Sequence, residues 1–439
     1  MSFPRYERYK ESGVGWLGEV PEHWDICRSR RLFAQRKERV RDSDEQLTAS
    51  QKHGIVTQEA FMQAEGRAVV RVIHGAEILK HVEPDDFVIS MRSFQGGLEW
   101  SAIRGCISSA YVMLAPSTSV YPGFFRHLFK SDLYIQALQT TSNLVRDGQA
   151  MRFENFTLID LPLPSLQEQQ QVALFLEREL KKIEELIEEQ RHLIELLKEK
   201  RQSVISHIIK VGLTANTAMK KTDDPWFIEM PAHWNLRKTT QLFSRIGSGT
   251  TPKSERLDYY EDGTIPWLNT GDLNDGLVKA ASRLVTPAAL IENPTLRLYP
   301  SGSLVMAMYG ATIGKLGLLA FATTVNQACC VFAEPLGIDP RYVFYCFWGL
   351  RPLIVSLANG GGQPNISQDI LKKIRIPVPP YSEQFHIVDY LEVALSKDDA
   401  TISEAERAIH LLHERRSALI SAAVTGKIDV RNYTPRETA

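Results

Sequence analysis

At 439 residues the chain can hold two to four domains with proper cores, and 44% hydrophobic with 23% charged residues is an ordinary globular composition. Five cysteines with no C-x-x-C pair argue against a disulfide framework and a zinc site, and the polar start MSFPRYERYK lacks a secretory core, which together point to the cytoplasm. A net charge of −1 excludes a globally basic nucleic-acid binder, so any such surface must be local.

The first element in chain order is a tryptophan frame. WLGEVPEHW, Trp16 to Trp24, returns as WFIEMPAHW, Trp226 to Trp234, with the form W-x-x-E-x-P-x-H-W; four of the seven tryptophans lie in these two frames. Behind the first frame Arg28, Arg30, Arg31, Arg36, Lys37, Arg39 and Arg41 crowd together, with Glu38 the only acid among them. Such a run is either a solvated face or a set of phosphate contacts.

VEPDDFVISMRSFQGG, from Val82, is the next recognisable segment, and LYPSGSLVMAMYGATIG, from Leu298, is its later counterpart. Both read as a proline-bearing turn, an apolar strand and a polar, glycine-bearing turn. The turns offer Arg92, Ser93 and Gln95 in the first copy and Tyr309, Thr312 and Lys315 in the second as groups that read base edges. CISSAYVMLAP and VNQACCVFAEP also correspond, so Asn326 and Gln327 stand where Ser108 and Ser109 do. Cys329 and Cys330 read as small buried hydrophobes. Breaks at Tyr309, Lys315 and several glycines make the apolar stretch from Leu304 a set of strands and turns, not a membrane span.

LPLPSLQEQQQVALFLEREL, beginning at Leu161, matches IPVPPYSEQFHIVDYLEVAL, beginning at Ile376 and 215 positions later, with no gap for about fifty residues. Glu168-Gln169 falls on Glu383-Gln384, and Glu199-Lys-Arg201 on Glu414-Arg-Arg416. The chain is a tandem duplication. Each prolyl segment predicts an extended entrance to a long helix. Ile183, Ile187, Ile194, Leu197, Val204 and Ile208 recur in heptads with Gln190 and Arg201 on the seam; the second copy keeps Ile402, Ile409, Leu412 and Leu419 but has Asp398 where Ile183 stands. Two such helices are expected to pair antiparallel about the pseudo-twofold of the duplication. About 40 residues make a rod of roughly 60 Å. A seam arginine there calls for an acid or carbonyl from a further partner.

The expected fold is α+β, with two pseudo-twofold-related α/β recognition domains separated by two long antiparallel coiled-coil helices. The segments are residues 1–160 and 216–375 for the domains, 161–215 and 376–439 for the helices and tail. Enzyme motifs are missing: there is no P-loop, no dinucleotide fingerprint, no H-E-x-x-H and no G-x-S-x-G. PVPPY, at Pro377, has Val378 where an amino-methyltransferase signature needs Asp or Asn, and GSGTTPKSE and GQPNISQD read as plain turns. A fused methyltransferase with an unrecognised active site stays open as the alternative, as does a coiled-coil scaffold.

In combination, the tandem repeat, the (L/I)P(L/V)P…EQ segments, the E-K/R-R…IS helix ends and the MRSFQGG and MYGATIGKLG strands resemble the specificity subunit of type I restriction-modification enzymes over nearly the whole chain. The resemblance implies a non-catalytic chain that binds double-stranded DNA. Each half would read one part of a bipartite target, and the helices would set the unread gap at one to two DNA turns of about 34 Å. It implies two modification subunits using S-adenosylmethionine, a restriction subunit using ATP and magnesium, and no cofactor on this chain. Reading surfaces would be the turns after Met91 and Met308 and the GQPNIS turn at Gln363 and Asn365, where the first half shares Gln149 but not the asparagine. The docking surface would comprise Glu168, Gln169, Glu199, Arg201, Glu383, Gln384, Glu414 and Arg416. The Trp frames would pin each domain to the neighbouring helix.

Overall fold

The computed structural model describes residues 3–66, 76–91, 93–141, 151–359 and 364–433. Two compact units divide the chain, residues 1–190 with 406–439 and residues 191–405. The break falls inside both long helices, so each unit contains one domain and a stretch of each helix.

In the first unit, β1 (Asp25–Arg28) leads through a short helical turn to β2 (Phe33–Arg36), followed by β3 (Phe87–Ile89), β4 (Glu99–Trp100) and β5 (Val112–Pro116). They form a sheet in the order β2-β5-β3-β4, all antiparallel. α1 (Pro122–Leu128) starts on a proline, whose fixed φ and missing N–H suit the first helical position. Its Phe124, Phe125 and Leu128, with Phe33, Phe87 and Phe129, fill the core. β6 (Asp160–Leu163) closes the domain by pairing with β1, Pro162 opposite Ile26. A proline is tolerated there because the two strands form a sheet of their own and an edge N–H is dispensable.

α2 (Leu166–Val211) follows directly, 46 residues long. In this unit Ile183 and Ile187 are buried with Leu419 and Ala423. Glu184 faces Arg416, while Glu168 and Gly426 both lie against Trp24, so the helices run antiparallel.

The second unit repeats the order. β7 (Asn235–Lys238), β8 (Phe243–Ser248), β9 (Gly276–Val278), β10 (Leu304–Ala307), β11 (Leu316–Leu319) and β12 (Cys329–Pro335) precede α3 (Pro340–Ser356), β13 (Arg375–Val378) and α4 (Tyr381–Val424). The sheet runs β8-β12-β10-β11-β9, and β13 pairs with β7 as β6 does with β1. The apolar run from Leu304 is thus β10 and β11 with turns. Cys329 and Cys330 are fully buried in β12, where burial pushes both thiols up, Cys329 to about 12. No helix among the described residues is long and apolar enough to cross a membrane.

Pro352 inside α3 removes the N–H that would bond the Trp348 carbonyl and crowds that turn. α2 supplies the missing donors: Gln202 Nε2 reaches the Trp348 and Gly349 carbonyls at 3.3 and 2.9 Å, and Ser206 Oγ reaches Gly349 at 3.0 Å. Arg201 pairs with Asp399 of α4 and Lys200 with the buried Asp398 at 3.0 Å. The acid needed by the seam arginine therefore comes from the chain's own second helix, which corrects the expectation of an outside partner, and Asp398 replaces an isoleucine as half of an ion pair.

Candidate nucleic-acid interface

The doubled motifs meet in the structure. Trp24 Nε1 donates to Glu168 Oε1 at 2.9 Å and Trp234 Nε1 to Glu383 Oε1 at 3.1 Å, while His23 and His233 contact the second oxygens at 2.9 and 2.8 Å. The backbone N–H of each of these tryptophans donates to the frame's proline carbonyl. The adjoining glutamine has another task. Gln169 accepts from the Tyr121 N–H at 2.7 Å and donates to Pro164 O; Gln384 accepts from Asp339 N–H at 2.9 Å and donates to Pro379 O. Tyr121 and Asp339 are the N-caps of α1 and α3. So the Glu holds the Trp frame and the Gln holds the domain's core helix, both on the first turn of the long helix.

Those bonds correct part of the docking expectation. Glu168, Gln169 and Gln384 are buried with their polar atoms engaged inside the chain, and Glu383 is occupied by Trp234 and His233. Glu199, Glu414 and Arg416 remain exposed. Arg201 lies under Trp348, 5.5 Å from its ring.

Strand register places three loops at one end of each sheet. In the first unit Arg36 is opposite Met113 and Ile89 opposite Val112, so the chain after β2, the chain after β3 and the chain before β5 meet there. They carry Lys37, Arg39 and Arg41, then Met91 and Gln95, then Ser108 and Ser109. Lys37, Arg39 and Gln95 are exposed. Arg36 is held inward, gripping the buried Asp86 through two bonds of 2.7 and 3.0 Å, whereas Arg41 is exposed and paired with Glu38 and Glu83. Burial raises the Asp86 carboxyl despite that contact.

Arg28, Arg30 and Arg31 lie at the opposite end of β2, where Phe33 is opposite Pro116. They are exposed but stand apart from the loop rim, so the basic run seen in the sequence is split by the strand through its middle. Ser93 is buried with its Oγ accepting from Ser90 N–H, which removes it as a reader. Arg92 lies outside the described residues. Gly97, at the end of this turn, has φ +72° and faces the Phe129 carbonyl so closely that a Cβ would stand 1.9 Å from it. No other residue type fits.

In the second unit Ser248 is opposite Cys330 and Ala307 opposite Cys329, which brings the equivalent three loops together. Tyr309, Lys315, Gln327 and Asn365 are exposed, and Thr312 is half-buried with its hydroxyl on Tyr309 O. Asn326 is a support: its amide donates to Asn269 Oδ1 at 3.1 Å and accepts from Ala328 N–H. Thr251 Oγ1 donates to Gln327 Oε1. The GSGTTPKSE segment, read above as a plain turn, therefore belongs to the rim. Gly249 makes this possible, since a Cβ there would meet the Val325 carbonyl at 1.6 Å. The turn after Met308 also joins the GQPNIS segment, through Gly310 N–H to Pro364 O at 2.9 Å. Gln363 lies outside the described residues. Asn269 carried only the signal of a polar N-T-G-D turn.

Residues 231–407 match the family model described as the type I restriction modification DNA specificity domain. The chain is 20% identical to the putative type I restriction enzyme MjaX specificity subunit of Methanocaldococcus jannaschii, over 98% of this chain and 99% of that one. It is 21% identical to the type I restriction enzyme EcoKI specificity subunit of Escherichia coli, over 79% and 75% of the two chains. A solved chain from work on complex assembly and conformational transition of the type I R-M system superposes with a TM-score of 0.67 at 14% identity, over 92% of this chain and 98% of that one.

Proposed function

We infer that the chain is the DNA sequence-specificity subunit of a type I restriction-modification system. The observation that carries the reading is the duplicated rim: two sheets that share the order of four strands each present three loops at the corresponding end, with different side chains on each. One scaffold with two sets of polar groups suits a target in two unlike halves. Lys37 and Arg39 supply phosphate contacts on one rim, and Lys315 does so on the other.

The chain is proposed to be non-catalytic, with no cofactor of its own. Two modification subunits bring S-adenosylmethionine, and restriction subunits bring ATP and magnesium. The exposed helix positions Glu199, Glu414 and Arg416 are the part of the expected docking set that a partner can reach. The test is a map of methylated adenines in cells carrying this chain with its modification subunit. A new two-part motif with a fixed gap is the expected result. Stoichiometric S-adenosylmethionine bound to the isolated chain would instead favour a methyltransferase.

A further inference from the structure

Past the end of β10 the chain continues through Met308, Tyr309 and Gly310 against the segment Pro364–Ile366. Gly310 N–H donates to Pro364 O and Ile366 N–H to Met308 O, each at 2.9 Å. On its other edge Asn365 exchanges both backbone bonds with Asn359, at 2.8 and 2.9 Å. Tyr309 pairs with Asn365, and Asn365 with Asn359, both antiparallel.

Directly opposed residues of an antiparallel ladder project to the same face, about 4.5–5.5 Å apart. Met308 and Ile366, one step along, are buried at 3% and 0%. Alternation then sends Tyr309, Asn365 and Asn359 outward, and all three are exposed. Neither asparagine side chain forms a hydrogen bond among the described residues. Two free amides stand side by side next to an aromatic ring, on a ledge held by backbone bonds alone.

We propose that Asn359 and Asn365 are specificity-determining residues of the second recognition domain, each reading an adenine edge in the major groove. An amide offers one acceptor and one donor in the plane that adenine N6 and N7 require, and the neighbouring ring suits a thymine methyl. The amides are too short to reach far, so the two adenines lie at adjacent or near-adjacent steps of one half-site. With Gln149 matched to Gln363, Met151 and Val145 stand at the corresponding positions of the first half, so this pattern belongs to one half-site only. The inference rests on the DNA-specificity reading above and says which bases one rim takes.

The test is selection from a randomised duplex pool by the full chain assembled with its modification subunit, for the parent, Asn359→Ala, Asn365→Ala and Asn365→Gln. Each alanine variant is expected to lose about 5- to 140-fold of its preference for adenine at one position of one half-site, with the other half-site unchanged. Asn365→Gln keeps part of that preference. An unchanged first half-site also reports that the variant is folded. Uniform weakening over all sequences, no change at all, or a second half-site without A·T pairs overturns this inference while the bipartite motif stands. A parent that selects no two-part motif removes the functional reading itself.

Discussion

At the scale of single residues, the repeated Glu is the most consequential side chain outside the rims. Glu168 accepts from Trp24 Nε1 and, through Oε1, from the Tyr6 hydroxyl at 2.7 Å, all buried. Glu168→Ala leaves those donors unsatisfied, and a loss of about 3–5 kcal/mol is expected by denaturant unfolding. Glu383→Ala is expected to cost less, because its carboxylate is 26% exposed and water can replace it. Equal losses would contradict the burial argument. His127 provides a pH test. Burial, then Arg126 and Arg416, lowers its pKa to about 3 from 6.5, and its Nε2 is closed off without a partner among the described residues. The unfolded chain therefore takes up the proton first, so stability falls as pH drops from about 6.5 toward 3. His127→Leu should flatten that part of the melting temperature–pH curve.

At the scale of elements, corresponding helix positions behave differently. Arg201 is 14% exposed, its Nε has no hydrogen-bond partner among the described residues, and its carboxylate partner is Asp399; Arg416 is 46% exposed and reaches Glu184 at only 3.7 Å. Asp399 is itself 61% exposed, so Asp399→Ala should destabilise by only about 1–2 kcal/mol, through the more buried guanidinium it leaves behind. Glu184→Ala should change stability by less than about 1 kcal/mol. Calorimetry on the two variants distinguishes them. Gln202 is a second such case. It answers carbonyls exposed by Pro352, so Gln202→Ala and Pro352→Ala together should be less destabilising than the sum of the two alone, a coupling that a double-mutant cycle reads.

At the scale of the whole molecule, the division matters more than any single contact. Each unit has its own core and its own rim, and each rim's residues come from one unit alone. Lys315→Ala should therefore weaken one half-site and leave the other intact, as seen in a methylation map with the modification subunit present. Equal damage to both halves would mean that the rims are not independent readers.

The duplication, the two long helices and the strands around Phe87 and Leu304 were legible in the chain, because proline, heptad spacing and apolar runs act locally. The Trp frame's role as a pin to the neighbouring helix was legible too, since two motifs doubled at nearly the same offset suggest a shared contact. Three things were not. The basic run from Arg28 to Arg41 looked like one surface, but a strand four residues long carries its two halves to opposite ends of the sheet. Glu168-Gln169 looked like a docking surface because it recurs, whereas recurrence here reflects buried hydrogen bonds to segments 48 to 162 residues away. Asn359 carried no signal, for its neighbour on the ledge is set by pairing with Asn365 and Tyr309. Sequence alone determined which elements form and that they form twice, because those depend on short-range periodicity. Only tertiary structure decided which polar groups face water, because burial and strand register depend on residues far apart in the chain.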